Sequence, residues 1–242
     1  VGYASFYAAG ANSGIGFARY NEGPATWTSL TAPPVAIASG YYAGPAWVGA
    51  YVYGFASDRV MRYDIAGAAW STPLTTTTNV ATEAQHTHDD ANNVYAVGNG
   101  GTSVLAYNIG SNTLTSKAST LGSPSEPRIA WDSASQLLYV APNFGSTPFY
   151  SYNPASSTQT TLPSIPDTMV SDVFCSDRSG HIYAGGTYST TQLWQYTVAT
   201  KTWAKLAAVP PFSNGNNGAC TVTADGWLYY TNATNVAKLQ LF

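Results

Sequence analysis

The sequence has little charge, few cysteines and no long apolar segment, and each shortage excludes a class of protein. Only 9% of the 242 residues are charged, with nine Lys and Arg against twelve Asp and Glu. Nucleic-acid-binding proteins carry clustered Lys and Arg, which this composition does not offer. The apolar runs fall far short of the ~20 residues that a membrane-spanning helix needs. We therefore expect neither a nucleic-acid partner nor a membrane.

Cysteine is scarce, since Cys175 and Cys220 are the only two. Two cysteines are too few for a disulfide-stapled scaffold, so either two buried thiols or one disulfide between neighbouring inner strands is expected. Low charge, abundant Ser, Thr, Asn and Tyr, and the glycosylation acceptor Asn232-Ala233-Thr234 favour a secreted, extracellular protein. The first residue is Val1 without an apolar leader, as expected of a mature or trimmed product.

An internal repeat is the strongest feature that the sequence does have. At five places a tyrosine is followed seven residues later by another side chain, usually a large one, and these tyrosines are 43, 44, 45 and 44 residues apart. The five pairs are Tyr20 and Trp27, Tyr63 and Trp70, Tyr107 and Leu114, Tyr152 and Gln159, and Tyr196 and Trp203. A period of this length is typical of stacked supersecondary units.

A second set of tyrosines runs in step with the first and marks short segments rich in Val, Ile, Leu, Tyr and Trp. Gly, Asn, Asp and Ser clusters separate these segments, which predicts β-strands joined by turns. No segment has a convincing helical period, so we expect an all-β chain. Four antiparallel strands per unit of ~44 residues predict one β-propeller domain over residues 1–242. The members of this set are Tyr7, Tyr53, Tyr95, Tyr139, Tyr183 and Tyr229.

The repeat resembles that of kelch-type propellers. Tyr63-Asp64 with Trp70 matches the kelch spacing best, and Gly185-Gly186 resembles the kelch double glycine. The six tyrosines of the second set favour six blades, with the first and last blades each one strand short. Five blades, or completion of the terminal blades by a partner chain in an oligomer, are the alternatives.

The links between units lead into the inner strands, and long loops on a rigid scaffold often carry binding sites. Repeat tryptophans such as Trp70 are expected to pack between blades, whereas Trp47 follows Gly44-Pro45 and is the best candidate for an exposed ring. Exposed aromatic rings stack on sugars, as in the propeller lectins that this architecture resembles. The predicted ligand-binding residues are Tyr41, Tyr42, Trp47, Arg128, Asp172 and Asn217.

The segment around His86 and His88 suggests a different chemistry. Residues two apart on a strand share a face, so the two imidazoles could form half of a divalent-metal site with Glu83 as a third ligand. The segment resembles the Gln-x-x-His-x-His run of oligogalacturonate lyases, which are Mn²⁺-dependent propellers, with Glu83 in place of Gln. In the alternative interpretation one histidine packs between blades and the other bonds to neighbouring backbone.

Three functions follow from these observations. The leading hypothesis is a secreted carbohydrate-binding protein, a lectin that needs no cofactor and recognises glycans or glycoproteins. The second is a metal-assisted polysaccharide lyase or related enzyme centred on His86 and His88, in which Arg128 holds a sugar carboxylate. The third is a kelch-type scaffold for protein interactions.

Overall fold

The computed structural model describes residues 5–10, 16–35, 37, 44–56, 58–76, 85–97, 103–118, 127–141, 149–166, 173–185, 192–208, 219–232 and 235–241. Every regular element among them is a β-strand, which confirms the prediction of an all-β chain. Within these ranges there is no helix of the length and apolarity needed to cross a membrane.

The strands are short and follow one another through tight turns and links. The first eleven are β1 (Ser5–Gly10), β2 (Gly16–Asn21), β3 (Thr26–Ser29), β4 (Ala46–Val48), β5 (Tyr51–Ala56), β6 (Arg59–Asp64), β7 (Ala69–Thr75), β8 (His86–His88), β9 (Asn93–Val97), β10 (Ser103–Asn108) and β11 (Thr113–Ala118). The others are β12 (Arg128–Asp132), β13 (Leu137–Ala141), β14 (Phe149–Asn153), β15 (Thr158–Leu162), β16 (Val173–Ser176), β17 (His181–Gly185), β18 (Gln192–Thr197), β19 (Thr202–Ala208), β20 (Ala219–Val222), β21 (Trp227–Asn232) and β22 (Asn235–Gln240).

These strands form antiparallel sheets in chain order, as the propeller prediction requires. Four sheets have four strands each, namely β4 to β7, β8 to β11, β12 to β15 and β16 to β19. Two end sheets, β1 to β3 and β20 to β22, have three strands each. Counting each end sheet as a short blade gives six blades, and counting the two as one closing unit gives five, the stated alternative.

The first strands of the four-stranded blades and of the last sheet lie innermost, because β4, β8, β12, β16 and β20 contact one another in succession. Each of these inner strands pairs with the strand that carries a tyrosine of the second set. The residue opposite that tyrosine is always small: Ala46, Thr87, Ala130, Cys175 and Thr221. The equivalent tyrosine of the first sheet is Tyr7, on β1.

The outer hairpins repeat with the same geometry. The residue five places after each repeat tyrosine has a positive φ of 49–56°. In the second blade the carboxylate of Asp64 accepts hydrogen bonds from the N–H groups of Ala66 and Gly67, at 3.0 and 3.1 Å. Such side-chain capping is why Asp and Asn recur at this turn. The residues with positive φ are Ala25, Ala68, Asn112, Ser157 and Lys201.

Apolar and aromatic side chains fill the spaces between blades, as predicted for the repeat tryptophans. Trp70 packs edge-on against Phe17 of the preceding sheet, with ring centroids 5.0 Å apart. Its indole N–H donates to the carbonyl of Thr31 at 2.7 Å, and that of Trp203 donates to Pro163 at 3.0 Å. Each of these indoles therefore anchors the link that leaves the preceding sheet.

The two end sheets meet and close the ring. The Tyr229 hydroxyl donates to the Glu22 carboxylate, and Lys238 Nζ lies 3.4 Å from the same carboxylate oxygen. Cys175 and Cys220 form a disulfide between inner strands β16 and β20. Of the two alternatives left open by the sequence, the disulfide is the one found.

Candidate functional site

The structure describes four of the predicted site residues: Trp47, His86, His88 and Arg128. They lie on the inner strands of three consecutive blades, β4, β8 and β12. The remaining predictions lie outside the described residues and stay predictions. Those residues are Tyr41, Tyr42, Glu83, Asp172 and Asn217.

His86 is buried between the second and third blades, with 4% of its surface exposed. Its Nδ1–H donates to the carbonyl of Gly44 at 2.9 Å, and its Nε2 accepts the N–H of Phe55 at 3.0 Å. Burial lowers the pKa of His86 to about 4, so the ring is neutral at physiological pH. To bind a metal through either nitrogen, His86 would have to give up one of these bonds to the backbone.

His88 is half-buried at the other end of β8. Its Nδ1–H donates to the carbonyl of Asp89 at 2.6 Å, and its Nε2 accepts from the Arg178 guanidinium at 2.7 Å. Burial and then the positive charge of Arg178 lower the pKa of His88. Both histidines thus use both ring nitrogens in structural bonds, as in the alternative interpretation of this segment.

Arg178 and Asp90 join His88 in a polar cluster that links three blades. The Arg178 guanidinium pairs with the Asp90 carboxylate, which also accepts the hydroxyl of Ser133. Arg178 lies in the turn after β16, Ser133 in the turn after β12, and Asp90 in the turn after β8. The sequence gives no sign that these turns converge, because the partners are up to 90 residues apart.

The aspartates at the ends of the inner strands accept hydrogen bonds from the turns. Asp89 accepts three backbone N–H groups of its own turn, from Ala91, Asn92 and Asn93. Asp132 is fully buried and accepts the N–H of Gly180 from the next blade at 2.9 Å. These carboxylates are therefore occupied by structural bonds.

Arg128 lies at the start of the inner strand β12. Only 2% of the Arg128 surface is exposed, so the guanidinium presents almost no surface for a sugar carboxylate. Beside it in the ring, the Gln85 amide donates to the carbonyl of Phe174 at 3.2 Å, which joins the third and fifth chain units across 89 residues. Among the described residues, no three His, Cys, Asp or Glu side chains lie close enough to hold a metal ion.

Trp47 is the one large hydrophobic residue of the described part that is exposed, at 44%. Its indole N–H donates to the carbonyl of Gly49 at 2.8 Å, which fixes the ring. Trp47 pairs with Val52, and Val52 packs with Phe17 of the first sheet. The indole therefore lies on the face of the second blade that is turned toward the first sheet.

Trp131 occupies the equivalent position two blades later, and it is only 4% exposed. Each of the two tryptophans follows the small residue that pairs with the blade's tyrosine, Ala46 or Ala130. Trp131 stacks on Tyr95 with centroids 6.0 Å apart, and its backbone N–H donates to the Thr87 hydroxyl at 3.2 Å. Thr87 belongs to β8 and Tyr95 to β9, so the preceding blade packs against Trp131.

The first sheet has no inner strand among the described residues, since its order is β1, β2, β3. Trp47 differs from Trp131 in its exposure, and its ring is held in place by the bond to Gly49. The exposed Trp47 side chain, on the face of the second blade that is turned toward the first sheet, is the candidate functional site.

Comparisons with known proteins support the architecture alone. No protein family model matches the sequence, and no curated protein matches it. Solved structures do match, among them a structure of the nidogen/laminin complex, with a TM-score of 0.60 and 14% identity. That match covers 81% of this chain and 72% of the solved chain. At this identity the similarity establishes the β-propeller fold, and the kelch resemblance stays a prediction.

Proposed function

We propose that this protein is an extracellular, non-catalytic scaffold that binds another polypeptide. The observation that carries the proposal is the Trp47 side chain, which is 44% exposed on the inner strand β4 and whose indole N–H is held by the carbonyl of Gly49. Tryptophan is among the residues most enriched in the energetic centres of protein interfaces.

The chemistry of the other candidate residues supports binding over catalysis. An acid, base or metal ligand needs a nitrogen or oxygen that can reach a substrate. His86 gives both ring nitrogens to the backbone, and the Arg128 guanidinium is buried. The Asp89 and Asp132 carboxylates cap turns.

Two further observations agree with this proposal. The Cys175–Cys220 disulfide favours an oxidising compartment such as the cell exterior. One solved structure of similar fold is a complex of two proteins, nidogen and laminin. The architecture is therefore known in a protein assembly.

Carbohydrate binding is the second candidate, and the fixed Trp47 ring favours it. An indole held by its N–H to Gly49 is a rigid platform on which the C–H face of a sugar could stack. A glycan and a polypeptide would compete for this ring, so one set of experiments separates them.

The test is a pair of binding screens with one protein. The immobilised protein is exposed to a phage-displayed peptide library and, separately, to a glycan array. We expect peptide enrichment that is lost in Trp47→Ala and kept in Thr160→Ala, an exposed substitution on β15. Glycan binding that depends on Trp47 without peptide enrichment would replace the proposal by the lectin hypothesis, and no binding in either screen would overturn both.

A further inference from the structure

We infer that the junction between the second and third blades binds one carboxylate group of a small external ligand beside Arg62. This site is separate from the proposed one, because Trp47 is turned toward the first sheet, whereas Arg62 pairs with Tyr53, which packs toward the third blade. Two junctions of the ring have matching aromatic and cationic side chains, and one of them holds a carboxylate of the protein itself.

The junction between the last sheet and the first sheet shows the complete arrangement. Lys238 pairs with Tyr229 across β21 and β22, and its Nζ lies 4.6 Å from the centre of the Trp227 ring. The Glu22 carboxylate accepts the Tyr229 hydroxyl, and the same oxygen lies 3.4 Å from Lys238 Nζ. A cation, a phenol and an aromatic ring of one sheet thus surround a carboxylate that the next sheet supplies.

The second blade has the same three kinds of group in the same register. Arg62 pairs with Tyr53 across β5 and β6, and its guanidinium carbon lies 4.7 Å from the centre of the Tyr51 ring. Tyr51 precedes Tyr53 by two residues, which is also the spacing of the ring and the phenol in the last sheet. Burial raises the pKa of Tyr53 and the charge of Arg62 opposes this rise, as expected for a guanidinium beside the hydroxyl.

The next blade does not supply a carboxylate here. Glu22 lies two residues after the repeat tyrosine Tyr20, and the residue in the same place after Tyr107 is Ile109. Ile109 packs, partly buried, against the apolar cluster between the second and third blades. An isoleucine has no oxygen to offer a cation, so the third blade leaves out the group that completes the other junction.

The ion pairs of the described residues do not include Arg62, in contrast to its neighbour on the same strand. Arg59 pairs with Asp58 through two hydrogen bonds of 2.6 and 3.0 Å. Asp64 shares the face of β6 that carries Arg62, but its Oδ1 caps its own turn. The Arg62 guanidinium is therefore the one of this pair of arginines whose charge remains for an anion from outside the chain.

The chemistry of these groups favours a carboxylate among the possible anions. Arg62 Nε donates to the Ser71 hydroxyl at 3.3 Å, which leaves the two terminal nitrogens of the planar guanidinium. Their N–H groups match the two coplanar oxygens of a carboxylate, and the Tyr53 hydroxyl adds a further donor. Arg62 and Tyr51 are partly exposed and Ser71 is exposed, so a small ligand can reach the guanidinium.

The probe is sodium acetate, titrated at constant ionic strength against sodium chloride. The protein carries ¹⁵N in its arginines and ¹³C in its tyrosine rings, and nuclear magnetic resonance follows both sets of signals. We expect saturable shifts of the Arg62 Nε–H and Tyr53 signals. Arg62→Gln should weaken acetate binding, read from the Tyr53 signal, by about tenfold or more. The matched control Arg59→Gln removes a guanidinium that Asp58 already neutralises and should leave acetate binding unchanged.

Ile109→Glu tests the same site while Arg62 stays in place. Its carboxylate would occupy the position that Glu22 has in the other junction, so we expect it to pair with Arg62 and to abolish acetate binding. At pH 7 and low salt this variant should melt at a higher temperature than Ile109→Gln, which has nearly the same shape without the charge. Far-UV circular dichroism verifies that each variant is folded.

The inference is supported by acetate shifts that saturate, depend on Arg62 and disappear in Ile109→Glu. Equal shifts with sulfate at the same ionic strength would show that the site holds any oxyanion and would overturn the carboxylate assignment. Absence of acetate shifts, or the same melting temperature and acetate response in both Ile109 variants, would overturn the site itself. None of these measurements involves Trp47, so such a failure would leave the proposed function standing.

Discussion

Trp47 and Trp131 hold the same place in two blades, yet 44% of one ring is exposed and 4% of the other. Their own strands do not explain the difference, because both follow an alanine that pairs with the blade's tyrosine. Trp131 stacks on Tyr95 of the preceding blade, and its backbone N–H donates to Thr87 of β8. Trp131 is therefore a packing residue of a blade interface, whereas Trp47 presents much of its surface.

The largest effect should appear when the two tryptophans are each replaced by alanine. Trp131→Ala removes a buried indole that stacks on Tyr95 and should lower the free energy of unfolding by about 3–5 kcal/mol. Trp47→Ala should change it by less than about 1 kcal/mol, because the exposed ring contributes little packing. Urea unfolding of both variants measures the contrast, and equal losses would contradict the account.

The disulfide tests how an end sheet is held to a full blade. Removing it in the double variant Cys175→Ala and Cys220→Ala should lower the free energy of unfolding by about 2–4 kcal/mol. The bond joins residues 45 positions apart, so its loss raises the conformational entropy of the unfolded chain. Native-state hydrogen exchange should quicken more in β20–β22 than in β8–β11. Equal acceleration in both sheets would argue against a separate, less stable end sheet.

His86, which is buried between two four-stranded blades, should make the stability of the folded protein depend on pH. The pKa of His86 is about 4 in the folded protein, below its ordinary value of 6.5, so the unfolded chain binds the proton more tightly. The folded state should therefore lose stability as the pH falls below 6.5, by about 3 kcal/mol at pH 4.

Urea unfolding between pH 7.5 and pH 4 measures this loss. The variant His86→Phe cannot titrate at this position, so its stability should fall less steeply over the same range even though its stability at pH 7.5 is lower. If the stability of the wild type fell no faster with pH than that of the variant, protonation of His86 would not destabilise the folded state. That result would contradict the prediction.

The smallest effect concerns the outer hairpins, where end sheet and full blade are alike. Ala25 and Ala68 have φ values of 53° and 49°, a conformation that costs alanine about 1 kcal/mol. Ala25→Gly and Ala68→Gly should each raise the free energy of unfolding by about 0.5 kcal/mol, the relief being partly offset by the entropy of glycine. Thermal melting should give similar gains for both, and a gain in only one would show that the first sheet's hairpin is built differently.

The positions of the strands within each repeat could be predicted from the sequence, because they depend on residues that are close together in the chain. Tyr53, Tyr95 and Tyr139 occupy equivalent ladder positions, and Trp70 and Trp203 pack between blades, as their spacing indicated. Strand period and turn chemistry depend on neighbours within a few residues, which a single sequence displays.

The candidate site could be predicted only in part, because its determinants are distant in sequence. The exposure of Trp47 was expected from Gly44-Pro45, but the bond that holds its indole to Gly49 was not. Nothing near His86 indicates that Gly44 and Phe55 would take both ring nitrogens, nor that Arg128 would be buried. Such partners come together only when the ring closes.

The most direct test of Trp47 as the binding residue is the accessibility of the two tryptophans in the free protein. The intact chain is treated with limiting amounts of a tryptophan-selective reagent, and modified peptides are quantified by mass spectrometry. The account predicts that Trp47 is modified first and that Trp131 reacts only on unfolding. Protection of Trp47 equal to that of Trp131 would show that the Trp47 ring is not accessible to a partner and would contradict the account.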